Sequence, residues 1–302
     1  QKLELSRIFD VPPDKIRVVA GDVGGGYGPR LSMYPEFVLV VWAAKRLGRP
    51  VKWTSTRSEA FISDQQARDQ AARTALAFDA DGRILAMRGE ILYNIGGMTA
   101  AFVPMANGTR LVTSLYDIPL LHLRAKAVLS NTVPVAPYRG AGRPEAMYNI
   151  ERVIDTAADE MGIDRIEIRR RNLISPDAIP YTSPMGIPYD SGEFEGYLDA
   201  ALELHDWNGF AARREESRTA GRLRGIGLGM YIQIPVGARD EWASITIEPK
   251  GRVAFLSGSL AQGQGHETSF RQVIHEWLGV PFGSIDMTTG DTDIVPIGGG
   301  TH

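Results

Sequence analysis

The sequence predicts an α+β protein of mixed sheets with packed helices. Strand-like and helix-like apolar patterns both occur, without the regular alternation that builds a doubly wound sheet. Two hairpin signals, Asp79-Ala80-Asp81-Gly82 and Pro249-Lys250-Gly251, join neighbouring strand patterns. Glycine-rich stretches at Gly24-Gly25-Gly26-Tyr27-Gly28, Gln262-Gly263-Gln264-Gly265 and Gly298-Gly299-Gly300 each follow an apolar run, and the first two precede helical patterns.

Leu3, Leu5, Ile8 and Phe9 fit a short amphipathic helix, stopped by Val11-Pro12-Pro13. Residues 16–20 read as a strand entering the first glycine loop, and Phe37, Val38, Val41, Ala44 and Leu47 then recur at helical spacing. Strands are expected at 51–55, 72–79, 84–94 and near 119–129. Ala146, Ile150, Val153, Ile154, Ala157 and Met161 define a long amphipathic helix, and residues 166–172 a short one carrying Arg169-Arg170-Arg171, a run of which at least two members are expected on a solvated face. Residues 174–192 are rich in proline and glycine and read as loop, with helices over 193–205 and 207–218. A polar stretch, Arg218-Thr219-Ala220-Gly221-Arg222, then precedes a glycine-rich strand at 225–234, so domains are expected over 1–222 and 223–302. Strands at 242–247 and 253–257 lead to a helix with Phe270, Val273, Ile274, Trp277 and Leu278 on one face. No repeat of fixed period is present.

The chain has 302 residues, 43% of them hydrophobic and 23% charged, with a net charge of −3. That balance gives no reason to expect nucleic acid as a partner. The longest apolar run, residues 37–44, is too short to span a bilayer. There is no cysteine, which removes disulfides, thiolate metal sites, iron–sulfur ligation and cysteine nucleophiles from this chain. The chain starts without methionine and stops at Gly300-Thr301-His302, so an internal fragment or a piece of a split subunit is expected.

Gly24-x-Gly26-x-Gly28 lacks the spacing of a dinucleotide fingerprint, and no Gly-Lys-Ser/Thr follows it. Alone, it reads equally well as a tight strand-to-helix turn. The Gln262-Gly263-Gln264-Gly265-His266-Glu267 element places side-chain amides beside bare backbone amides at a helix start, which suits phosphate oxygens or a flat heterocycle. Arg139, in Pro137-Tyr138-Arg139-Gly140-Ala141-Gly142-Arg143, sits where a fixed guanidinium could bind a carboxylate, phosphate or developing oxyanion; a loop salt bridge is the plainer alternative. His266 and His275 lack helical metal-ligand spacing, and neither His122 nor His205 has an evident catalytic partner. Asp291 and Asp293 are expected to cap or turn the last loop.

Five motifs in order resemble the molybdenum-binding large subunit of the xanthine dehydrogenase family of molybdenum hydroxylases: Gly24 to Gly28, Tyr138 to Arg143, Tyr189-Asp190-Ser191-Gly192, Gln262 to Thr268, and Gly290-Asp291-Thr292-Asp293. The nearest likeness is to form II carbon monoxide dehydrogenase-like and aldehyde dehydrogenase large subunits. The resemblance implies a molybdenum–molybdopterin cofactor, in bacteria usually the cytosine dinucleotide form. It also implies [2Fe-2S] clusters on a small subunit and FAD on a medium subunit. By the same resemblance Gly25, Gly26, Tyr27, Gly28, Arg139, Gly140, Gln262, Gly263 and Gln264 contact the cofactor, Arg139 is the catalytic candidate, and Leu31 and Ala141 border the substrate. No side chain here ligates the metal directly.

Leu31 and Ala141 stand where purine-oxidising relatives carry a glutamate and an aromatic, which argues against xanthine. Gly140 stands where copper-containing carbon monoxide dehydrogenases carry cysteine, which argues against a molybdenum–copper centre. The family's catalytic glutamate, in a Gly-Glu-Pro motif, is absent, so the remainder of the large subunit is an expected partner. The implied reaction is oxidative hydroxylation of an aldehyde or N-heterocycle in the bacterial cytoplasm, with water as oxygen source. A non-catalytic scaffold piece that binds no cofactor alone, and a nucleotide-binding module of another family, are the alternatives.

Overall fold

A computed structural model of the chain describes residues 1–234 and 240–299. Gly300, Thr301 and His302 lie outside the described residues. In chain order the elements are α1 (Lys2–Phe9), α2 (Pro35–Leu47), α3 (Arg57–Ser63), β1 (Gln70–Phe78), β2 (Ile84–Gly96), α4 (Val103–Arg110), β3 (Leu121–Leu129), α5 (Arg143–Met161) and α6 (Arg165–Asn172). They continue with β4 (Tyr181–Thr182), β5 (Pro188–Tyr189), α7 (Phe194–Leu204), α8 (Phe210–Thr219), β6 (Ala243–Ile247), β7 (Val253–Ser257), α9 (His266–Leu278) and β8 (Ile285–Thr288). The fold is α+β, as the sequence predicts.

Two compact units divide these elements. Residues 62–233 form one continuous unit, and the other is assembled from Gln1–Phe61 and Ile234–His302. Each contains a three-stranded sheet of the same type, a hairpin followed by a parallel strand reached through a helix. In the continuous unit β1 pairs antiparallel with β2, and β2 parallel with β3. In the split unit β6 pairs antiparallel with β7, and β7 parallel with β8.

The hairpin between β1 and β2 turns where Asp79 Oδ1 accepts from the Asp81 and Arg83 amides and Gly82 takes φ 79°. Along β2, Met87, Ile91, Tyr93 and Ile95 are buried while their neighbours face out. Helix α5 packs on α4, α6 and β1, burying Ala146, Ile150, Ile154, Ala157 and Ala158 at helical spacing. Asp164 caps α6 by accepting from the Ile166 and Glu167 amides. The Asn172 side chain ties α6 to the hairpin, accepting from Ile84 N at 2.7 Å and donating to Gly82 O at 2.8 Å.

Arg169 is the one arginine of the basic run that is buried. It is 0% exposed, its guanidinium held by Glu151 at 2.9 and 3.0 Å and by Asp155 at 2.8 Å. Burial alone lowers its pKa, and the facing carboxylates outweigh that and raise it. Tyr116, also fully buried, donates to the same Glu151, and burial beside that carboxylate pushes the phenol well up. Arg170 pairs with Glu195 and Asp199, and Arg171 with Glu167.

Three expected strands are not regular strands. Residues 16–20 make only a short two-sided contact with the last loop, through a bridge between Val19 and Asp291 and the bond Ala20 N to Gly290 O at 2.8 Å. Residues 51–55 and 225–234 belong to no regular element and make no ladder pairing among the described residues. Alternating apolar character makes a strand only where a neighbour supplies the hydrogen bonds. Helices α3 and α4, the pair β4–β5 and strand β8 were not predicted, being short or carrying proline and glycine. The apolar face expected on α9 is only partly covered. Ile274 packs with Val253, Phe255 and Ile285, whereas Trp277 is exposed.

Candidate functional site

In the split unit the first glycine loop and the glutamine loop meet. Gly26 is buried, and a Cβ built on it would lie 1.8 Å from Gln262 Oε1 and 2.7 Å from Gln262 Cδ. Only a hydrogen at position 26 lets the Gln262 amide lie where it does. Gly25 and Gly28 take φ 113° and 99°, and Tyr27 between them is left-handed at φ 49°. The Tyr27 ring folds back over Gly25, 2.3 Å from where a Cβ would stand. Leu31 ends the 3-10 turn Pro29–Leu31 that follows, and is exposed.

In the glutamine loop, the Gln262 amide donates to Gln264 Oε1 at 2.5 Å. Gly263 takes φ 120° and Gly265 φ 76°, both with open space beside them. Among the described residues, the N–H groups of Gly263, Gln264 and Gly265 make no hydrogen bond, and α9 begins without a side-chain cap. Bare donors at a helix start form a site for anionic or acceptor-rich groups. His266 is stacked on Phe270 with Nδ1 3.3 Å from Ser259 O, and His275 Nδ1 lies 2.6 Å from Val280 O.

The last loop is anchored by Asp291. Its carboxylate accepts from Arg17 Nε at 3.0 Å, from Arg17 Nη2 and from the Asp293 amide at 3.0 Å. The Arg17 hydrogen bonds first, then the Asp293 amide, hold its pKa down to about 2. Gly290, at φ 72°, has Ala20 O 2.3 Å from where a Cβ would stand.

Arg139, Gly140 and Ala141 belong to the continuous unit. Gly140, Ala141 and Gly142 take φ 94°, 46° and 94° in succession. The loop closes through Ala141 N to Tyr138 O at 2.7 Å and Arg143 N to Gly140 O at 3.1 Å. A Cβ on Gly142 would lie 1.8 Å from Pro104 O, so this glycine seats the loop against α4. Burial, then the charge of Arg110, lowers the Arg143 pKa. The Arg139 guanidinium is exposed and makes no hydrogen bond or ion pair among the described residues. A cavity of about 650 Å³ in this unit is lined by Arg139, Arg143, Met147, Tyr148, Leu228 and Met230.

Sequence reasoning missed Arg68 and Glu145. Arg68 Nη2 donates to Arg139 O at 2.6 Å, and Arg68 Nη1 pairs with Glu145 at 3.3 Å. Glu145 is buried, and its charge adds to burial in pushing the Tyr93 phenol up to about 12. Arg68 is 71 residues from its acceptor and belongs to no motif, so nothing in the sequence marked it.

The profile of a molybdopterin cofactor-binding domain matches residues 1–173, and a second profile of that description matches residues 200–302. The chain is 34% identical to the carbon monoxide dehydrogenase large chain of Hydrogenophaga pseudoflava, over 99% of its own length and 40% of that relative. It is 33% identical to the 6-hydroxypseudooxynicotine dehydrogenase complex subunit gamma of Paenarthrobacter nicotinovorans, over 98% and 38%. The crystal structure of quinoline 2-oxidoreductase from Pseudomonas putida 86 superposes with a TM-score of 0.92 at 30% identity, covering all of this chain and 40% of that one. The chain thus spans about two fifths of the length of these relatives. The chain belongs to the molybdopterin cofactor-binding domain family, in the branch of molybdenum-containing oxidoreductase large subunits.

Proposed function

We propose that the chain forms the cofactor-gripping part of a molybdenum hydroxylase large subunit that oxidatively hydroxylates an aldehyde or an N-heterocycle, with water as oxygen source. The observation that carries this reading is the approach of Gly26 to Gln262, a primary amide in the same loop as the Gly263 and Gln264 N–H groups, which make no hydrogen bond among the described residues. That donor set fits a group rich in acceptor oxygens and ring nitrogens.

When bound, a molybdenum–molybdopterin cofactor supplies two-electron oxidation coupled to oxygen transfer from water. In this reading the amides of Gly263, Gln264 and Gly265 hold the cofactor's phosphate and pterin, and Gln262 orients against it. Gly25, Gly26, Tyr27 and Gly28 bring bare backbone alongside, and Gly140 is a further proposed contact by the family resemblance. Arg139 offers a guanidinium, without a partner among the described residues, that steadies negative charge developing on the substrate. Leu31 and Ala141 give the substrate neutral walls.

The general base and the rest of the cradle come from the remainder of the large subunit. Electrons leave through [2Fe-2S] and FAD on small and medium subunits, the cofactor is the cytosine dinucleotide form, and the complex works in the bacterial cytoplasm. Among the described residues no helix is long and apolar enough to cross a membrane. Relatives named for quinoline and 6-hydroxypseudooxynicotine favour an organic substrate. Gly140 and the absence of cysteine count against carbon monoxide. A domain boundary at 222/223, just beyond α8, is part of this proposal.

The test is metal and pterin-nucleotide analysis of the protein purified natively with its co-purifying subunits. Stoichiometric molybdenum with a cytosine nucleotide, followed by turnover in an aldehyde and N-heterocycle screen, is the expected result. A folded, intact complex without molybdenum would instead mark the chain as scaffold.

A further inference from the structure

Among the described residues the Arg139 guanidinium makes no hydrogen bond or ion pair, and the backbone from which it reaches is gripped from outside its own loop. The grip begins at Gln66. Its N–H donates to Pro134 O at 3.1 Å, its carbonyl accepts from Ala136 N at 3.0 Å, and its side chain reaches Thr132 and Val133. Gln66 is thereby registered on the strand-like segment leading into the arginine loop.

Two residues on, Arg68 adopts φ 65°, a left-handed conformation that side chains other than glycine rarely take. That turn sends its guanidinium to three groups. Nη2 donates to the Arg139 carbonyl at 2.6 Å, Nη1 meets the buried Glu145 of α5 at 3.3 Å, and the guanidinium carbon lies 4.9 Å from the centre of the Tyr138 ring. The planar fork of arginine can satisfy a carbonyl, a carboxylate and an aromatic face at once, which lysine cannot.

We propose that Arg68 is the positioning residue of the Arg139 loop, fixing the Arg139 peptide against α5 so that the point from which the Arg139 guanidinium reaches is set before substrate arrives. The proposal rests on the reading of Arg139 as the group that meets developing charge. It assigns Arg68 no contact with substrate; Arg68 acts only through the Arg139 carbonyl. Glu145 orients Arg68 in turn.

The test uses the complete enzyme complex carrying Arg68→Ala, Arg68→Lys or Glu145→Gln. In Arg68→Ala, kcat per bound molybdenum should fall about 10- to 100-fold with a much smaller change in KM, the scale expected for a misplaced catalytic group. Methylguanidinium added to solution should restore part of that loss, because Arg68 is partly exposed. Arg68→Lys should recover little, and Glu145→Gln should give an intermediate loss.

A crystal structure of Arg68→Ala should show the Arg139 peptide reoriented with α5 in place. An Arg139 peptide unmoved in that structure overturns the proposal, as does unchanged turnover per molybdenum. A parallel loss of folding and molybdenum, with normal turnover of what remains loaded, also overturns it. If the wild-type complex holds no molybdenum, the functional reading falls, while the position of the Arg139 peptide still decides the role of Arg68.

Discussion

The Gln262 side-chain oxygen occupies the space where a Cβ on Gly26 would stand, 1.8 Å from that built position. The obstructing atom ends a flexible side chain, so Gly26→Ala is expected to leave the fold standing, at a cost of about 1 kcal/mol or less. What it disturbs is the amide's placement. If that amide grips the cofactor, losing it should weaken retention about tenfold, the worth of one hydrogen bond. Molybdenum and pterin nucleotide per subunit, compared with thermal stability, check this.

Gly142 presents the opposite case. Its φ is 94°, and a Cβ would meet Pro104 O at 1.8 Å and Gly108 N at 2.9 Å, both backbone atoms that cannot swing aside. Gly142→Ala is expected to destabilise the continuous unit by roughly 3 kcal/mol, combining left-handed strain with a backbone clash. Urea unfolding against wild type measures it.

Removing Arg169 takes the nearest cation from the buried Glu151, while Asp155 keeps Arg165 at 3.8 Å. Arg169→Met leaves Glu151, itself buried, facing Asp155 without the cation that both share. The expected loss is about 3–5 kcal/mol. Tyr116→Phe, which deletes only the donor to Glu151, should cost about 1 kcal/mol. An equal effect of the two substitutions would contradict this account.

The Arg17–Asp291 pair gives the split unit an acid sensitivity. Asp291 is held down to about 2 in the folded protein, against about 3.9 for an unfolded aspartate. A depressed carboxylate stabilises the fold above its unfolded pKa and loses that contribution as pH falls through the folded one. The stability difference between wild type and Asp291→Asn should therefore be constant above about pH 4 and shrink towards pH 2. Denaturant midpoints measured across that range, with both proteins in the same buffers, decide the matter.

Much of the fold was legible because its signals are local. The periodicity of Ala146, Ile150 and Ile154, the hairpin at Asp79 to Gly82 and the glycine beside α9 each carry their information within a few residues. Residues 225–234 alternate as a strand should, but pairing depends on a neighbour that sequence does not name. Which of the three arginines is buried was not legible, because the carboxylates that hold Arg169 lie 14 and 18 residues away on another helix. At the candidate site, the glycine and glutamine loops were readable as motifs, whereas Arg68 was not. Its role comes from a backbone contact 71 residues distant, and any residue type can supply the carbonyl it grips.

The split unit also imposes an order of events on synthesis. Residues 62–233 are contiguous, so that unit can form as soon as it has been made. The first glycine loop meets its glutamine partner only after the intervening segment and the β6–β7 hairpin have been translated. Until then, residues 1–61 must wait as unfinished chain. The interval in which a nascent chain is open to aggregation or chaperone capture is therefore set by the distance from Gly26 to Gln262, independently of how fast either unit folds.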